Sequence, residues 1–465
     1  MTRRHLIAPA LVATVALTAP AGGAAASPAP ERAHPGGAAS GDSLFPLAGN
    51  GGYGVRHYDL ALSYRPSSDV LQGTARLRIR TNTGLSRFNL DLQGLRVSRV
   101  SVDGRSAKWS RSGHELVVRP VAPLPARTGH DVVVRYSGVP HTHIDPDGSE
   151  DGWVPTDDGA VAVNEPVGAM TWFPVNNTPR DKATYRIAIT APARLTGVSN
   201  GNLVRRTRHG RTATWVWRER DAMASYLSTV AIGHFDVIRS RVDGVPLRSF
   251  VDPQVKGGAR TARKVASVLR VWDRRFGPYP FSSSGVIIDR ADFGYALEVQ
   301  TRPVFPFNPD QLTLVHELAH QWYGDSVTLK DWSDIWLHEG FATYAEWLWQ
   351  ARRHPGAPHR HFDRLYRTPA DSSLWSPPPA VPGTGEHLFG SPVYTRGAMA
   401  LQALRERIGG RHFFTVLRRW AAEYRQGSGT TAELQQLAEH VSGRRLDHLF
   451  HAWLYHDGKP RHWML

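Results

Sequence analysis

Apolar and polar residues alternate with a period of two in several short stretches of the first half of the chain. The clearest of these runs lie at residues 58–64, 74–80, 130–136, 182–189 and 213–218. Such alternation is typical of a strand that buries one face and leaves the other in contact with water. The pattern therefore predicts an all-β domain of the saddle or sandwich type over residues 51–238.

Beyond residue 238 the apolar positions recur at spacings of three and four, which is the period of an amphipathic helix. This period predicts helices around residues 259–276, 312–322, 333–352, 397–408, 411–424 and 431–441. Asn308 or Asp310 is expected to cap the second of these helices, and Ser333 the third. A buried strand is predicted at 286–289. Residues 239–465 are therefore expected to form a second, α+β domain that ends in helices.

The first 26 residues have the three parts of an export signal. Arg3 and Arg4 precede an apolar stretch at 6–19, and small residues follow up to Ala26. We therefore predict cleavage after Ala26 and a secreted protein, exported by the Sec or the twin-arginine route. Residues 27–50 are rich in Ala, Pro, Gly and Ser, which predicts a flexible linker. We find no other candidate span, so no stable membrane insertion is expected.

Composition restricts the kinds of partner and metal site. The chain has 56 Lys and Arg against 41 Asp and Glu, a net charge of +15. Most of the excess is scattered arginine, and no nucleic-acid-binding motif accompanies it, so we expect a solvated basic surface and no nucleic-acid partner. Cysteine is absent, which excludes disulfides and Cys-ligated metals. Any metal must be held by His, Asp or Glu. These features leave the oligomeric state open.

The second predicted helix contains the sequence H-E-x-x-H. His316 and His320 lie one turn apart on one face of a helix, as two ligands of a single metal must. Glu317 is next to the first of them, where a carboxylate is able to take a proton from a metal-activated water. The spacing therefore predicts a catalytic metal site with Glu317 as the general base.

A catalytic zinc site needs a third protein ligand and one open position. In a chain without cysteine this ligand is expected to be a carboxylate. Glu339 follows His320 after 18 intervening residues and belongs to the next predicted helix. Glu346, two turns further along, is the main alternative, but the spacing favours Glu339. We therefore predict one Zn²⁺ per chain, held by His316, His320 and Glu339.

Three other polar residues lie close to the predicted ligands in the sequence. His338 is expected either to orient a metal-binding residue without contacting the metal or to lie on the surface. Both are favoured over a role as a fourth ligand. Asp325 and Asp334 are candidates to orient the ligand histidines.

Two longer strings carry a resemblance to a known family. They are H-E-L-A-H-Q-W-Y-G-D at 316–325 and W-S-D-I-W-L-H-E-G-F-A-T-Y-A-E at 332–346. Together with Glu165-Pro166, Trp172-Phe173-Pro174 and later landmarks in the same order, they resemble the aminopeptidase-N family of gluzincin metallopeptidases. The resemblance implies a multidomain α+β protein with a thermolysin-like catalytic domain. Because the sequence ends at Leu465, it also implies a short form that lacks the C-terminal helical domain of larger relatives.

The resemblance assigns roles that the metal motif alone does not. Tyr394 matches the family's tyrosine that donates to the developing oxyanion. Glu298 matches the glutamate that binds the free α-amine of the substrate, and Glu165 resembles a second amine-binding acid. The motif around Glu298 departs from the family pattern, because Tyr295 stands where glycine is expected and Val299 where asparagine is expected.

The implied activity is that of a secreted metalloaminopeptidase. It hydrolyses the N-terminal peptide bond of peptides with a free N-terminus through a zinc-activated water. The alternative is a zinc endopeptidase with the same chemistry, which the residues around Tyr295 favour. A third hypothesis is an inactive peptide-binding protein with the same fold.

Overall fold

The computed structural model describes residues 32–461. The predicted signal peptide, residues 1–26, lies outside the described residues. Within the described range, no helix combines the length and the apolar character that crossing a bilayer demands.

The first half of the described chain consists mainly of strands. In chain order they are β1 (His34–Pro35), β2 (Tyr53–Arg65), β3 (Val70–Thr81), β4 (Leu85–Asp91), β5 (Arg96–Val102), β6 (Arg105–Ser106), β7 (Lys108–Ser112), β8 (Glu115–Arg119), β9 (Gly129–Gly138), β10 (Thr142–Ile144), β11 (Glu150–Pro155), β12 (Ala160–Val163), β13 (Lys182–Pro192), β14 (Thr196–Ser199), β15 (Asn202–His209), β16 (Thr212–Ala224) and β17 (Val230–Gly233). The five runs predicted from the alternation fall inside β2, β3, β9, β13 and β16, which confirms them.

The largest sheet contains eight strands in the order β15-β16-β13-β2-β3-β9-β5-β6. Its central strand β2 pairs antiparallel with β3 and parallel with β13. Along β2, Tyr58, Leu60 and Leu62 are buried and the residues between them are more exposed, because successive side chains point to opposite faces. Two smaller sheets have the orders β10-β11-β12-β17-β14 and β1-β4-β8-β7.

The second half of the chain combines two small sheets with helices. Its strands are β18 (Asp236–Val242), β19 (Val245–Val251), β20 (Ile287–Ile288), β21 (Val304–Phe305), β22 (Val327–Leu329) and β23 (Gly427–Gly429). Its helices are α1 (Gly258–Phe276), α2 (Gln311–His320), α3 (Trp336–Gln350), α4 (Ala357–Tyr366), α5 (Gly397–Glu423), α6 (Thr431–Ser442) and α7 (Asp447–Phe450). A β-rich first part followed by an α+β part that ends in helices confirms the predicted fold class.

The helix ends show which predicted caps are used. Asp310 caps α2, since its Oδ1 accepts hydrogen bonds from two backbone N–H groups of the first turn at 2.9 and 2.8 Å. Ser333 does not cap α3, because Asp331 caps a short 3₁₀ turn and α3 begins only at Trp336. Within α5, Gly409 has a φ of 80°, which separates the two helices predicted there. The helices α4 and α7 were not predicted from the apolar pattern.

Lys182, at the start of β13, reaches from the β-rich part into the α+β part. Its Nζ donates hydrogen bonds to the backbone carbonyls of Asp325, Ser326 and Gly427 at 2.9, 2.9 and 3.0 Å. Three acceptors match the three N–H groups of an ammonium ion. The lysine thereby fixes the turn that follows α2, together with the edge strand β23.

Residues 32–50, for which composition predicts a flexible linker, instead contact both parts of the protein. Asp42 is buried, and its Oδ2 accepts from the backbone N–H of Trp332 at 2.9 Å. Asn50 is also buried and donates through Nδ2 to Asp91 at 3.0 Å. These long-range bonds hold the segment in place although its composition is typical of linkers.

Replacing Lys182 by methionine leaves three inward-facing carbonyls without their shared donor. We expect the Lys182→Met variant to lose about 2 kcal/mol of unfolding free energy, because buried acceptors lose their partner. The change is measured as a lower urea midpoint. Lys108→Met, at an exposed position of β7, serves as the control and should leave the midpoint unchanged. An equal midpoint for both variants contradicts the role of Lys182.

Candidate active site

Two helices bring the three predicted zinc ligands together. The helix α2 presents His316 and His320 on one face, and the first turn of α3 presents Glu339. The Nε2 atoms of His316 and His320 lie 3.1 and 3.6 Å from Oε2 of Glu339. All three side chains are buried, so the donor atoms converge in a region of low water content.

These three side chains fit a zinc ion. Their donor atoms all lie within 4.8 Å of one another. Two ligand atoms of a tetrahedral zinc, each at about 2.0–2.1 Å from the metal, are about 3.3 Å apart. The observed separations from Glu339 lie on either side of that value. Two imidazole nitrogens and one carboxylate also form the donor set of catalytic zinc sites that keep a position open.

The other nitrogen of each histidine ring is held by a second group. Nδ1 of His316 lies 2.8 Å from Oε1 of Glu346, and Nδ1 of His320 lies 3.1 Å from the carbonyl oxygen of Tyr323. Both acceptors favour the tautomer with its proton on Nδ1, which leaves the Nε2 lone pair directed at the metal position. Glu346, the alternative third ligand, therefore contacts the ring nitrogen of His316 that faces away from the metal position. It orients this ring and does not serve as a metal ligand.

Asp325 and Asp334 do not contact the ligand imidazoles, so that prediction is wrong. Oδ2 of Asp325 accepts a hydrogen bond from Nε2 of Gln321 at 2.6 Å. Oδ1 of Asp334 accepts from the hydroxyl of Thr431 at 2.5 Å. Both carboxylates fix the chain around the site, the first after α2 and the second between α3 and α6.

A cavity of about 310 Å³ opens onto the metal position. All seven residues predicted for the site line it: Glu165, Glu298, His316, Glu317, His320, Glu339 and Tyr394. They come from the β-rich part, from the segment before β21, from α2 and α3, and from the turn before α5. The structure thus brings together residues that are more than 200 positions apart in the sequence.

Two carboxylates lie beside the metal position without being ligands. Oε1 of Glu165 and Oε1 of Glu298 are buried and have no hydrogen-bond partner among residues 32–461. A carboxylate oxygen of Glu298 lies within 4.8 Å of the Glu317 carboxylate and of a His320 ring nitrogen. Unpaired buried carboxylates at this distance form a site for a cationic group.

The charges of the site favour bound cations. Burial acts to lower the pKa of His320, but the carboxylates of Glu298 and Glu339 raise it to about 9. Burial raises the pKa of Glu317 to about 7, with the two histidines opposing. Burial, followed by the charge of Glu298, raises the pKa of Glu165 well above its usual value. A metal ion or an ammonium group relieves this repulsion among carboxylates.

Tyr394 approaches the ligands from the turn before α5. Its ring centre lies 6.1 Å from that of His316. Three residues later, Gly397 contacts Gly340 of α3, where a Cβ would lie only 2.9 Å from the backbone carbon of Gly397. This close approach requires glycine, and it fixes the turn that carries Tyr394 against the helix that carries Glu339.

His338 is buried and does not lie on the surface. Neither of its ring nitrogens has a hydrogen-bond partner within the described part of the chain. One ring nitrogen lies within 4.8 Å of carboxylate oxygens of Glu165 and Glu298, and His338 does not belong to the group formed by the three zinc ligands. The imidazole therefore borders the two unpaired carboxylates, a position that the sequence did not indicate.

Gln321 also supports the site, although no pattern in the sequence assigned it a role. Its Nε2 donates to the backbone carbonyl of Glu298 at 3.0 Å, and its Oε1 accepts from the backbone N–H of Thr301 at 2.9 Å. The amide thereby holds the backbone of the Glu298 segment against α2. Its only signal in the sequence was its place directly after His320.

Comparison with known proteins matches both parts of the chain. Residues 309–453 match the peptidase family M1 domain, and residues 155–227 match the peptidase M1 N-terminal domain. Aminopeptidase M1-B of Oryza sativa subsp. japonica is 27% identical over 327 residues, which cover 65% of this chain and 37% of that protein. Glutamyl aminopeptidase of Bos taurus is 25% identical over 463 residues, which cover 87% of this chain and 46% of that protein. The chain thus spans less than half the length of these two relatives.

Solved structures match over nearly their whole length. A mutant of an M1 zinc metallopeptidase from Deinococcus radiodurans, bound to a Tyr-Ser-Ala substrate, is 29% identical with a TM-score of 0.83, covering 91% of this chain and 99% of that one. Another structure of the zinc metallopeptidase from that organism has the same identity and coverage and a TM-score of 0.81. Together with the two matched domains, these similarities support an aminopeptidase-N-like gluzincin: the chain carries matches to both the catalytic and the N-terminal domain of peptidase family M1.

Proposed function

We propose that this protein is an exported aminopeptidase, which removes one residue at a time from peptides with a free N-terminus. The observation that carries the proposal is the position of Glu298, whose carboxylate lies within 4.8 Å of the Glu317 carboxylate and a His320 ring nitrogen. Each further residue adds about 3.8 Å between successive Cα atoms. An α-amine held at Glu298 therefore brings the first peptide bond, and not the second, next to Glu317.

Substrate binding follows from the unpaired carboxylates. The α-ammonium group of the peptide is held by Glu298 and Glu165, whose buried oxygens lack other partners in the described chain. Charge-assisted hydrogen bonds of this kind are about twice as strong as neutral ones. They favour a free N-terminus over a blocked one, because an acylated amine carries no charge.

Each group of the site has a defined role in the proposed reaction. A zinc ion held by His316, His320 and Glu339 would supply Lewis-acid polarisation of the scissile carbonyl and a lowered pKa for water. Glu317 accepts a proton from the attacking water as the new C–O bond forms, and it donates that proton to the leaving nitrogen as the C–N bond breaks. The phenol of Tyr394 donates a hydrogen bond to the carbonyl oxygen as negative charge develops there.

The assignment of the base is tested by Glu317→Gln. We expect kcat to fall by about 10²- to 10⁴-fold, because the variant has no group that takes the proton from water. The zinc content, measured by elemental analysis, should remain at one per chain because the three ligands are intact. Glu423→Gln, an exposed position on α5, should match the native rate. A native rate for Glu317→Gln contradicts the mechanism.

The requirement for a free N-terminus is tested with a peptide and its N-acetylated form. We expect cleavage of the free peptide and more than about 100-fold slower cleavage of the acetylated one, since the charge that Glu298 and Glu165 bind is gone. Glu298→Gln should lower kcat/KM for the free peptide by about 10- to 100-fold, mainly through KM, with little effect on the acetylated form.

Two results decide against the aminopeptidase. Equal cleavage of both peptides, at internal bonds, identifies an endopeptidase with the same zinc chemistry. Zinc-loaded protein that binds the free peptide but cleaves neither form identifies a peptide-binding protein on this scaffold.

Export rests on the order of residues in the first 26 positions, which supports cleavage after Ala26. We expect N-terminal sequencing of protein recovered outside the cytoplasm to begin at Ser27. Replacing Arg3 and Arg4 by lysine should block export by the twin-arginine route and leave Sec-dependent export intact. Recovery of uncleaved, cytoplasmic protein contradicts the proposal.

A further inference from the structure

The cavity has an inner and an outer zone. The inner zone contains the buried groups used for zinc, amine and proton transfer. The outer zone is formed by Asp147, Ser149, Tyr295, Ala296, Thr313 and Phe389, which are half-buried or exposed. No task in the proposed mechanism falls to these six side chains. They form the more exposed part of the cavity wall.

Asp147 is the only charged residue of the outer zone. The backbone N–H and the hydroxyl of Ser149 donate to its Oδ1 at 2.9 and 2.7 Å, which fixes the carboxylate in the turn between β10 and β11. Within residues 32–461, Asp147 forms no ion pair with any lysine, arginine or histidine. No lysine or arginine of the described chain lines the cavity either. The negative charge of Asp147 therefore faces the cavity without a fixed counter-charge.

Tyr295 contacts the turn that carries Asp147 and lines the same cavity as Glu165 and Glu298. Its hydroxyl donates to the backbone carbonyl of Glu150 at 2.8 Å, so the ring lies along the turn that carries Asp147. Burial raises the pKa of Tyr295, and the charges of Asp151, Asp145, Glu165 and Asp147 act in the same direction. Tyr295, Glu165 and Asp147 all line the same cavity.

Two neighbouring acids do not share the role of Asp147. Asp145 and Asp151 are buried, and burial raises their pKa values to about 9 and about 8. Neither of these two side chains lines the cavity. Asp147 is exposed and supplies the negative charge at this end of the cavity.

We propose that the outer zone selects peptides whose first residue is arginine or lysine. With the α-ammonium group at Glu165 and Glu298, the aliphatic stem of such a side chain lies against Tyr295 and Phe389, and its cationic end meets Asp147. Long cationic side chains combine an apolar stem with a charged tip in this way. An acidic side chain is repelled, and an apolar one covers the carboxylate without compensating it.

The proposal rests on the proposed aminopeptidase activity and is tested separately from it. Rates are measured on arginine, lysine, norleucine and glutamate amides of one fluorogenic amine. Norleucine has the four-carbon stem of lysine but lacks its ammonium group. We expect kcat/KM to be highest for arginine and lysine and lowest for glutamate. The ratio of arginine to norleucine should fall as salt is added, because ionic strength screens a partly exposed pair.

Asp147→Asn identifies the residue responsible. The asparagine oxygen keeps the acceptor for Ser149 and removes the charge. We expect the ratio of arginine to norleucine kcat/KM to fall about fivefold, which corresponds to about 1 kcal/mol. Glu150→Gln is the matched control, since it removes a neighbouring exposed charge that does not line the cavity and should keep the native ratio.

Each outcome distinguishes the two proposals. Hydrolysis of norleucine amide with no preference for arginine, or an Asp147→Asn variant with the native ratio, overturns the selectivity and leaves the aminopeptidase standing. Failure of the zinc-loaded native protein to hydrolyse any of the four amides overturns the aminopeptidase itself. If Glu150→Gln lowers the ratio of arginine to norleucine kcat/KM as much as Asp147→Asn does, the preference comes from the combined negative charge of this turn. That result overturns the specific role of Asp147.

Discussion

The structure depends on a group of carboxylates that are buried close together. Glu165, Glu298, Glu317, Glu339 and Asp325 are all nearly inaccessible to water. Charged groups at this density repel one another and lose their hydration, so burial and mutual repulsion raise most of their pKa values. The protein supplies two histidines but no lysine or arginine that forms an ion pair with them in the described chain. The remaining positive charge has to come from what the site binds.

The cations that the fold does bury are used elsewhere. Arg302 and Arg396 are fully buried, and both donate to backbone carbonyls rather than to the carboxylates of the site. Lys182 does the same with three carbonyls of the catalytic part. The backbone carbonyl groups thus stabilise these cations, and the hydrogen bonds join distant segments of the chain. Because these cations bind carbonyl groups, they form no ion pairs with the acids around the cavity in the described chain.

The sequence predicted what depends on local periodicity and spacing. Alternation located β2 and its neighbours, and spacing predicted that His316, His320 and Glu339 come together, as their donor atoms do. It did not predict the order of strands in the large sheet, because that order is set by contacts between distant segments. It assigned no role to Glu346 beyond that of a rival ligand, since a residue two turns from Glu339 lies on a similar helix face whether it binds the metal or orients a histidine.

Other features were not predicted for the same physical reason, namely that they depend on contacts between distant segments. Residues 32–50 have the composition of a linker, and only the tertiary structure gives Asp42 and Asn50 their partners. The turn that carries Asp147 has an ordinary turn sequence, and its place in the wall of the cavity depends on how β10 and β11 pack near Tyr295. Side chains whose function depends on orientation rather than on identity leave little trace in a single sequence.

The contact between Gly340 and Gly397 has a consequence for how proteins of this design diverge. The backbones of two elements touch there with no side chain between them, so a larger residue at Gly340 or Gly397 would push apart the elements that carry Glu339 and Tyr394. If the outer wall selects the first residue as proposed, a change of that selectivity is expected there, where Asp147 is exposed and Phe389 is half-buried. Such a change does not require any change in the contact between the two glycines.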